Sequence, residues 1–324
     1  MNSQFAIISR SVHPKPARLL SWMMRRWIWI VLVVSALSGA IFWHLSVAVP
    51  AFSKGDPRFE SGDPIRGKSI FHAGDCASCH ATPGQADRLQ LGGGLALASP
   101  FGTFRVPNIS QHPTDGIGDW VGSDLANALI SGVSPQAQHY YPAFPYVAYT
   151  GMRLEDVRDL YAYLQTLPVV AGKPPPHDLP LIFRFRRALA AWKWLFFEEG
   201  NTKAALNGDP VHDRGAYLVE SVAHCAECHS TRNVLGAIKP SARFAGGLDP
   251  EGTGFVPNIT PTRIGGWSEE DIVKMLETGE TPEHGRVGSS MADVVSNIKE
   301  LSDADRLAIA RYIKSLPPRP TPEP

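Results

Sequence analysis

The sequence predicts a mostly α-helical chain: two tandem copies of one small helical domain behind an N-terminal helix long enough to cross a membrane. Three observations predict this. The pentapeptide Cys-x-x-Cys-His occurs twice and uses all four cysteines of the 324-residue chain. Landmarks around it recur at near-constant offset. A charge-free apolar run, residues 27–49, precedes both copies.

The apolar run contains one histidine, His44, and is long enough to span a bilayer as a helix. Arg25 and Arg26 stand directly before it. The positive-inside rule therefore keeps the basic segment 1–26 cytoplasmic and sends the rest outward. Trp22, Trp27, Trp29 and Trp43 fall near the two ends of the run, where indoles favour the interface. A cleaved signal peptide, with Ser46-Val47-Ala48 as a small-residue site, is the competing reading. The run is long for that, which favours an uncleaved anchor. Either way both pentapeptides end up outside the cytoplasm. The formal net charge is zero, but residues 1–26 hold five bases and no acid, leaving 26 bases against 31 acids in the remainder. Nothing here suggests nucleic-acid binding, and an acidic body suits a basic partner.

Duplication is read from four offsets. Cys76 to Cys225 is 149, Pro107-Asn108-Ile109 to Pro257-Asn258-Ile259 is 150, Trp120 to Trp267 is 147, and Tyr163 to Tyr312 is 149. These place the domains at 56–170 and 206–318, with a linker at 171–205 and a tail at 319–324. In each copy a first helix runs into the pentapeptide. It starts after Asp63-Pro64, with aspartate as N-cap and proline at the first helical position, and near Asp213 in the second copy. A glycine- and proline-rich loop follows, 91–109 and 245–259. A tryptophan and a helix come next, 123–131 and 269–277, where Ser268 with Asp271 resembles a capping box. The last helix carries Leu160, Tyr163, Leu164 and Leu167, or Ile309, Tyr312, Ile313 and Leu316, at helical spacing. Pro168 and Pro317 stop it.

Two cysteines two residues apart, followed at once by histidine, have the spacing for haem c attachment. The thiols of Cys76 and Cys79, and of Cys225 and Cys228, would each add to a haem vinyl group. His80 and His229 would then lie under the irons as proximal ligands. A zinc or thiol-exchange pair is the alternative, but it leaves the adjacent histidine and the similar flanks of both copies without a reason. Two covalently bound haem c groups are expected.

The order of elements resembles class I cytochrome c in both copies. That resemblance implies crossed first and last helices, with Gly67 against Tyr163 and Gly215 against Tyr312. Over most of residues 60–318, phrases such as Tyr141-Pro142-Ala143-Phe144-Pro145-Tyr146 and Gly116-Ile117-Gly118-Asp119-Trp120 resemble the cytochrome subunits of membrane-bound alcohol and sugar dehydrogenases. Those subunits usually carry three haems; this chain has two motifs.

The resemblance also implies a methionine sixth ligand on the loop before the last helix. Met291 is well placed in the second copy, with Met275 as a rival better suited to the core. In the first copy the resembling subunits have methionine where this chain has Phe144. Met152 is the first-ranked ligand there. It aligns with Leu301, at a position that usually holds an apolar staple, so a core role weighs at least as much. His139, His112 and an open iron are the alternatives. A backbone carbonyl from Pro107 or Pro257 would orient each proximal histidine, with Pro83 and Pro100 also available in the first copy. Asn108 and Asn258 would hold a turn or bond a propionate, and Arg105 would pair with a propionate. The linker segment 181–197, LIFRFRRALAAWKWLFF, would pack across the domains or lie on a membrane surface.

The function expected from this is a membrane-anchored electron-transfer subunit in the bacterial inner membrane with its haem domains in the periplasm. It would take electrons from a periplasmic dehydrogenase subunit and pass them to a redox acceptor: quinone, another cytochrome or an oxidase. The rival is a haem enzyme with an open first-domain iron, reducing peroxide or oxidising a small sulfur compound. A haem-based sensor is a weaker third reading, because residues 1–26 look too small and featureless to signal.

Overall fold

The computed structural model describes residues 16–200, 206–249 and 254–323. Arg10 of the basic N-terminal segment, and Lys15 with it, lie outside these residues. The chain divides into two compact units, the first ending at Val47 and the second starting at Ala48.

The first unit contains one long helix, α1 (Pro16–Leu45). Its stretch Trp22–Leu45 has a mean hydropathy of 2.0 and is long and apolar enough to cross a membrane. The helix thus begins before the 27–49 run and ends four residues short of Val49. Pro50 disfavours helical backbone at the residue before it, and the chain has already left the helix by Ser46.

The second unit consists of two helical repeats joined by a connection described over residues 171–200. The first repeat runs α2 (Pro64–Ala73), α3 (Cys76–His80), a hairpin of β1 (Ala96–Ser99) and β2 (Gly102–Arg105), then α4 (Gly122–Ser131), α5 (Tyr146–Tyr149) and α6 (Leu154–Leu164). The connection holds α7 (Leu189–Phe196). The second repeat runs α8 (Pro210–Tyr217), a hairpin of β3 (Gly247–Leu248) and β4 (Phe255–Val256), then α9 (Pro261–Ile264), α10 (Glu269–Thr278), α11 (Ser290–Ile298) and α12 (Asp303–Ser315).

The helix starts follow their capping chemistry. Asp63 accepts hydrogen bonds from the Ile65 and Arg66 amides, with Pro64 at the first helical position. Asp209 and Pro210 do the same for α8, so that helix begins earlier than the Asp213 expected from sequence. Asp213 instead takes the Asn207 and Gly208 amides. Ser268 and Asp271 form the reciprocal capping box of α10.

In each repeat the first and last helices cross at a glycine. A Cβ added to Gly67 would stand 1.9 Å from the Asp159 carbonyl oxygen and 2.9 Å from Tyr163 Cβ. One added to Gly215 would stand 1.9 Å from the Ala308 carbonyl oxygen and 2.9 Å from Tyr312 Cβ. Only a residue without a side chain permits this approach. Charge pairs fasten both crossings: Arg66 to Asp159 at 2.7 Å and Arg214 to Asp305 at 2.8 Å.

The repeats differ by one residue between that glycine and the first cysteine. The first repeat closes α2 with a Gly74 amide to Ile70 carbonyl bond, four residues back. In the second, the Ala223 amide reaches the Leu218 carbonyl, five residues back, and Leu218–Val222 form a π-helical turn. A one-residue insertion is the usual origin of such a turn.

The connection packs along one face. Thr103 and Asp178 exchange backbone hydrogen bonds at 2.8 and 2.9 Å. Tyr141 donates to the Phe183 carbonyl at 2.8 Å. Lys193 is buried and donates to the Ser131 and Gly132 carbonyls, capping the C-terminal end of α4 with a cation, where the helix dipole favours it. Trp192 reaches the second repeat through the Leu235 carbonyl at 2.9 Å.

Candidate functional site

Each pentapeptide forms a tight turn entered through a left-handed residue, Asp75 with φ 53° and His224 with φ 42°. In the first repeat the five residues are the short helix α3; in the second, Cys225–Glu227 make a single 3₁₀ turn. Burial pushes the Cys76 and Cys225 thiols up to about 12.

Both histidines are fixed the same way. His80 Nδ1 lies 2.9 Å from the Pro107 carbonyl oxygen, and His229 Nδ1 lies 2.8 Å from that of Pro257. A carbonyl only accepts, so each Nδ1 carries the proton and each Nε2 keeps its lone pair for a metal. Burial pushes His80 down to about 4 and also lowers His229, so both rings are neutral. Of the prolines available, these two orient the histidines. The loops are drawn in at glycines: the Gly93 amide donates to the His80 carbonyl, and the Gly246 amide to that of His229, each at 2.9 Å.

Asn108 and Asn258 are buried and spend their side chains on the protein. Each accepts the amide two residues on and donates to the irregular segment after the last helix: Asn108 to the Val170 and Gly172 carbonyls, Asn258 to the Arg319 carbonyl and the Thr321 hydroxyl. The turn role accounts for all of their bonds. Arg105 lines an open cavity of about 500 Å³ with Lys173, Arg184 and Arg186.

The methionines fall in different surroundings. Met291 is the second residue of α11, partly buried against the core. Met275 sits on α10, also partly buried. Met152 is 6% exposed in the core at the turn before α6, and Leu301, 4% exposed, takes the same place before α12. The Phe144 ring packs against Tyr140 and Tyr149 at centroid distances of 5.5 and 5.7 Å. His112 is committed locally, its Nδ1 accepting the Asp115 amide at 3.1 Å. His139 is buried, and its carbonyl accepts from Arg186.

Sequence reasoning missed how the two attachment turns meet. Helix α11 of the second repeat docks on the first turn. Asn297 donates to Asp75 at 2.6 Å and to Ser78 at 3.2 Å, and its carbonyl lies 3.3 Å from His72 Nδ1. In return α5 of the first repeat docks on the second turn, with the Tyr149 ring 5.3 Å from that of His224. His224 also hydrogen bonds the Gly74 backbone, and Tyr217 donates to Asp156 at 2.5 Å. Each repeat therefore presses the segment before its last helix onto the residue that precedes the other repeat's first cysteine.

Paired cysteines, a neutral histidine with Nε2 free and a glycine-tightened loop suit an attached haem in both repeats. Fold and site together define a c-type cytochrome. The cytochrome c family model matches residues 65–168. The chain is 46% identical over 302 residues to a diheme cytochrome c-type protein of Cereibacter sphaeroides, covering 91% of this chain and 99% of that one. It is 39% identical over 261 residues to the fructose dehydrogenase cytochrome subunit of Gluconobacter japonicus, 78% of this chain and 52% of that one. With the cytochrome c subunit of the quinone alcohol dehydrogenase of Gluconobacter oxydans it shares 34% over 300 residues, 86% of this chain and 61% of that one. The chain spans a little more than half the length of these two dehydrogenase subunits. It belongs to the dihaem c-type cytochromes, with two covalently bound haem c groups, and its function is electron transfer.

Proposed function

We propose that this chain is a membrane-anchored electron-transfer subunit serving a dehydrogenase outside the cytoplasm, in the bacterial inner membrane with its haem domains in the periplasm. Electrons would leave to quinone, another cytochrome or an oxidase. The haem domains are 56–170 and 206–318. Cys76 and Cys79 attach one haem and Cys225 and Cys228 the other, with His80 and His229 as proximal ligands. The observation that carries this is the matched pair of histidine–proline bonds, which fixes the same tautomer twice. Bound there, each haem supplies one-electron iron chemistry. The chain's part is to hold each imidazole rigid and neutral and to keep the two attachment turns in contact. Met291 is the sixth ligand in the second domain.

In the first domain Met152 is the first candidate. Its seat is the one Leu301 fills with an apolar side chain, which favours as a second reading an open first-domain iron able to reduce peroxide or oxidise a small sulfur compound. Magnetic circular dichroism of the purified holoprotein separates the two. Two low-spin histidine–methionine spectra, unaffected by cyanide, support closed electron-transfer sites. One high-spin iron that binds cyanide supports the second reading and removes Met152. Co-purification with a dehydrogenase tests the partner.

A further inference from the structure

The face of the connection that points away from both repeats is apolar. Leu181 is 81% exposed, Ile182 76%, Trp194 58% and Leu195 69%. The turn that carries Val234, 91% exposed, lies beside them. A Cβ on Gly236 would touch the Phe101 ring at 3.1 Å, that ring lies 5.5 Å from Phe183, and Trp192 bonds the Leu235 carbonyl. Two segments distant in sequence thus build one exposed apolar patch. Patches of this kind mark interaction surfaces.

Charge selects the occupant. Residues 179–197 hold Arg184, Arg186, Arg187 and Lys193 and no carboxylate, between Asp178 on one side and Glu198-Glu199 on the other, on a body that otherwise carries an excess of acids. Lys193 is spent inside, capping α4, and Arg186 turns inward to the His139 carbonyl and the Tyr141 ring; Arg184 shares one 3₁₀ turn with Leu181 and Ile182, and Arg187 follows it. Aliphatic and indole side chains with arginine in the adjoining turns fit the boundary between lipid headgroups and acyl chains. The chain also supplies a route to that boundary, because only residues 46–51 separate the end of α1 from Phe52, whose amide bonds Asn127 in the haem-binding unit.

We infer that this face is a second membrane contact, inserting Leu181, Ile182, Trp194 and Leu195 at the headgroup level of an anionic bilayer. It rests on the proposed anchoring by α1 and adds to it: the haem domains would be held at a set orientation to the surface rather than swinging on a tether.

The test uses the full-length holoprotein in vesicles of phosphatidylethanolamine and phosphatidylglycerol, with a spin label at one introduced cysteine. The four native thiols should be thioethers and take no label; labelling of the unsubstituted protein would contradict the attachment reading alone. Ile182→Cys and Leu195→Cys are compared with Ile65→Cys, an 81% exposed position outside the patch, and with Leu37→Cys in α1. Labels at 182 and 195 should collide several-fold more with oxygen, relative to a water-soluble nickel chelate, than the label at 65. Equal accessibility at 182, 195 and 65 overturns the inference and leaves the face to a protein partner. A water-exposed label at 37 counts against the anchor, while 182 and 195 still report on the patch.

Discussion

The two repeats hold their histidines alike and surround them differently. The first packs Phe71 edge-on against Tyr163, with ring centroids 5.3 Å apart. The second has the π-helical turn, which carries Glu220 into the interior. That carboxylate is paired with Arg243 and accepts the Tyr312 hydroxyl at 2.7 Å. Ahead of the last helix, the first repeat has the four-residue α5 and Phe144, and the second has the nine-residue α11 and Met291. The bonds that orient His80 and His229 tolerate no such change, because they determine which ring nitrogen keeps its lone pair for a metal. The shell behind them is free to diverge, and that shell sets polarity and axial ligation, the means by which a protein tunes a haem. The comparison teaches that duplication here kept the attachment chemistry and separated the two environments.

The similarity breaks first at the helix crossings if it is false. Gly67→Ala and Gly215→Ala should each cost about 3 kcal/mol or more, since backbone carbonyls must move to admit the methyl group. Chemical denaturation of each variant checks this, and tolerance at one position alone would show that the crossings are not equivalent. At the next level of effect, Met291→Leu should convert one haem from methionine-ligated to high-spin or solvent-ligated, leaving the spectrum of the other unchanged. Two altered spectra would mean the sites are not separately closed.

The environments are compared more finely through Glu220. Glu220→Gln removes a buried carboxylate beside the second attachment turn and leaves Arg243 without its partner. It should cost about 3 kcal/mol and raise the reduction potential of the second haem alone in a redox titration. The reciprocal docking is probed by Asn297→Ala, which strips hydrogen bonds from Asp75 and Ser78 and should cost about 1 kcal/mol, read by thermal unfolding.

The smallest effect is a pH dependence at the same contact. Burial, with Asp293 nearby, pushes Asp75 up to about 7, against the pull of the Ser78 and Asn297 hydrogen bonds and of Arg88. The folded state therefore holds a proton that the unfolded chain gives up near pH 4. Its contribution is complete below that pH and is lost as pH rises through about 7. Asp75→Asn should flatten this slope in thermal melts taken across the window; an unchanged slope would place the titration elsewhere.

Much of this was legible in the residues. The crossings could be read because a glycine and a tyrosine recur one repeat apart, and the helix starts because Asp-Pro and Ser-x-x-Asp carry their own hydrogen-bond logic. Helix α8 starts earlier than Asp213 because Asp209-Pro210 repeats the Asp63-Pro64 signal; five residues separate Pro210 from Gly215 against three from Pro64 to Gly67, so this pair falls at an offset of 146, outside the 147–150 of the other landmarks. The one-residue insertion was visible as nine residues from Gly67 to Cys76 against ten from Gly215 to Cys225, but its outcome as a π-helical turn depends on Glu220 finding Arg243 and Tyr312 in three dimensions. The docking of Asn297 on Asp75 joins residues 222 apart, and no local pattern announces such a contact. The connection read as cationic and aromatic from composition alone; which face packs was decided by Lys193 reaching the end of α4.

The central claim is that each pentapeptide holds one haem covalently. Intact-mass spectrometry of the protein matured in a host with haem-ligation machinery, followed by mapping of the two Cys-x-x-Cys-His peptides, tests it directly. The account predicts a mass increased by two haems, with one on the peptide containing Cys76 and Cys79 and one on that containing Cys225 and Cys228. Bare polypeptide, or both peptides recovered with free thiols, would contradict it.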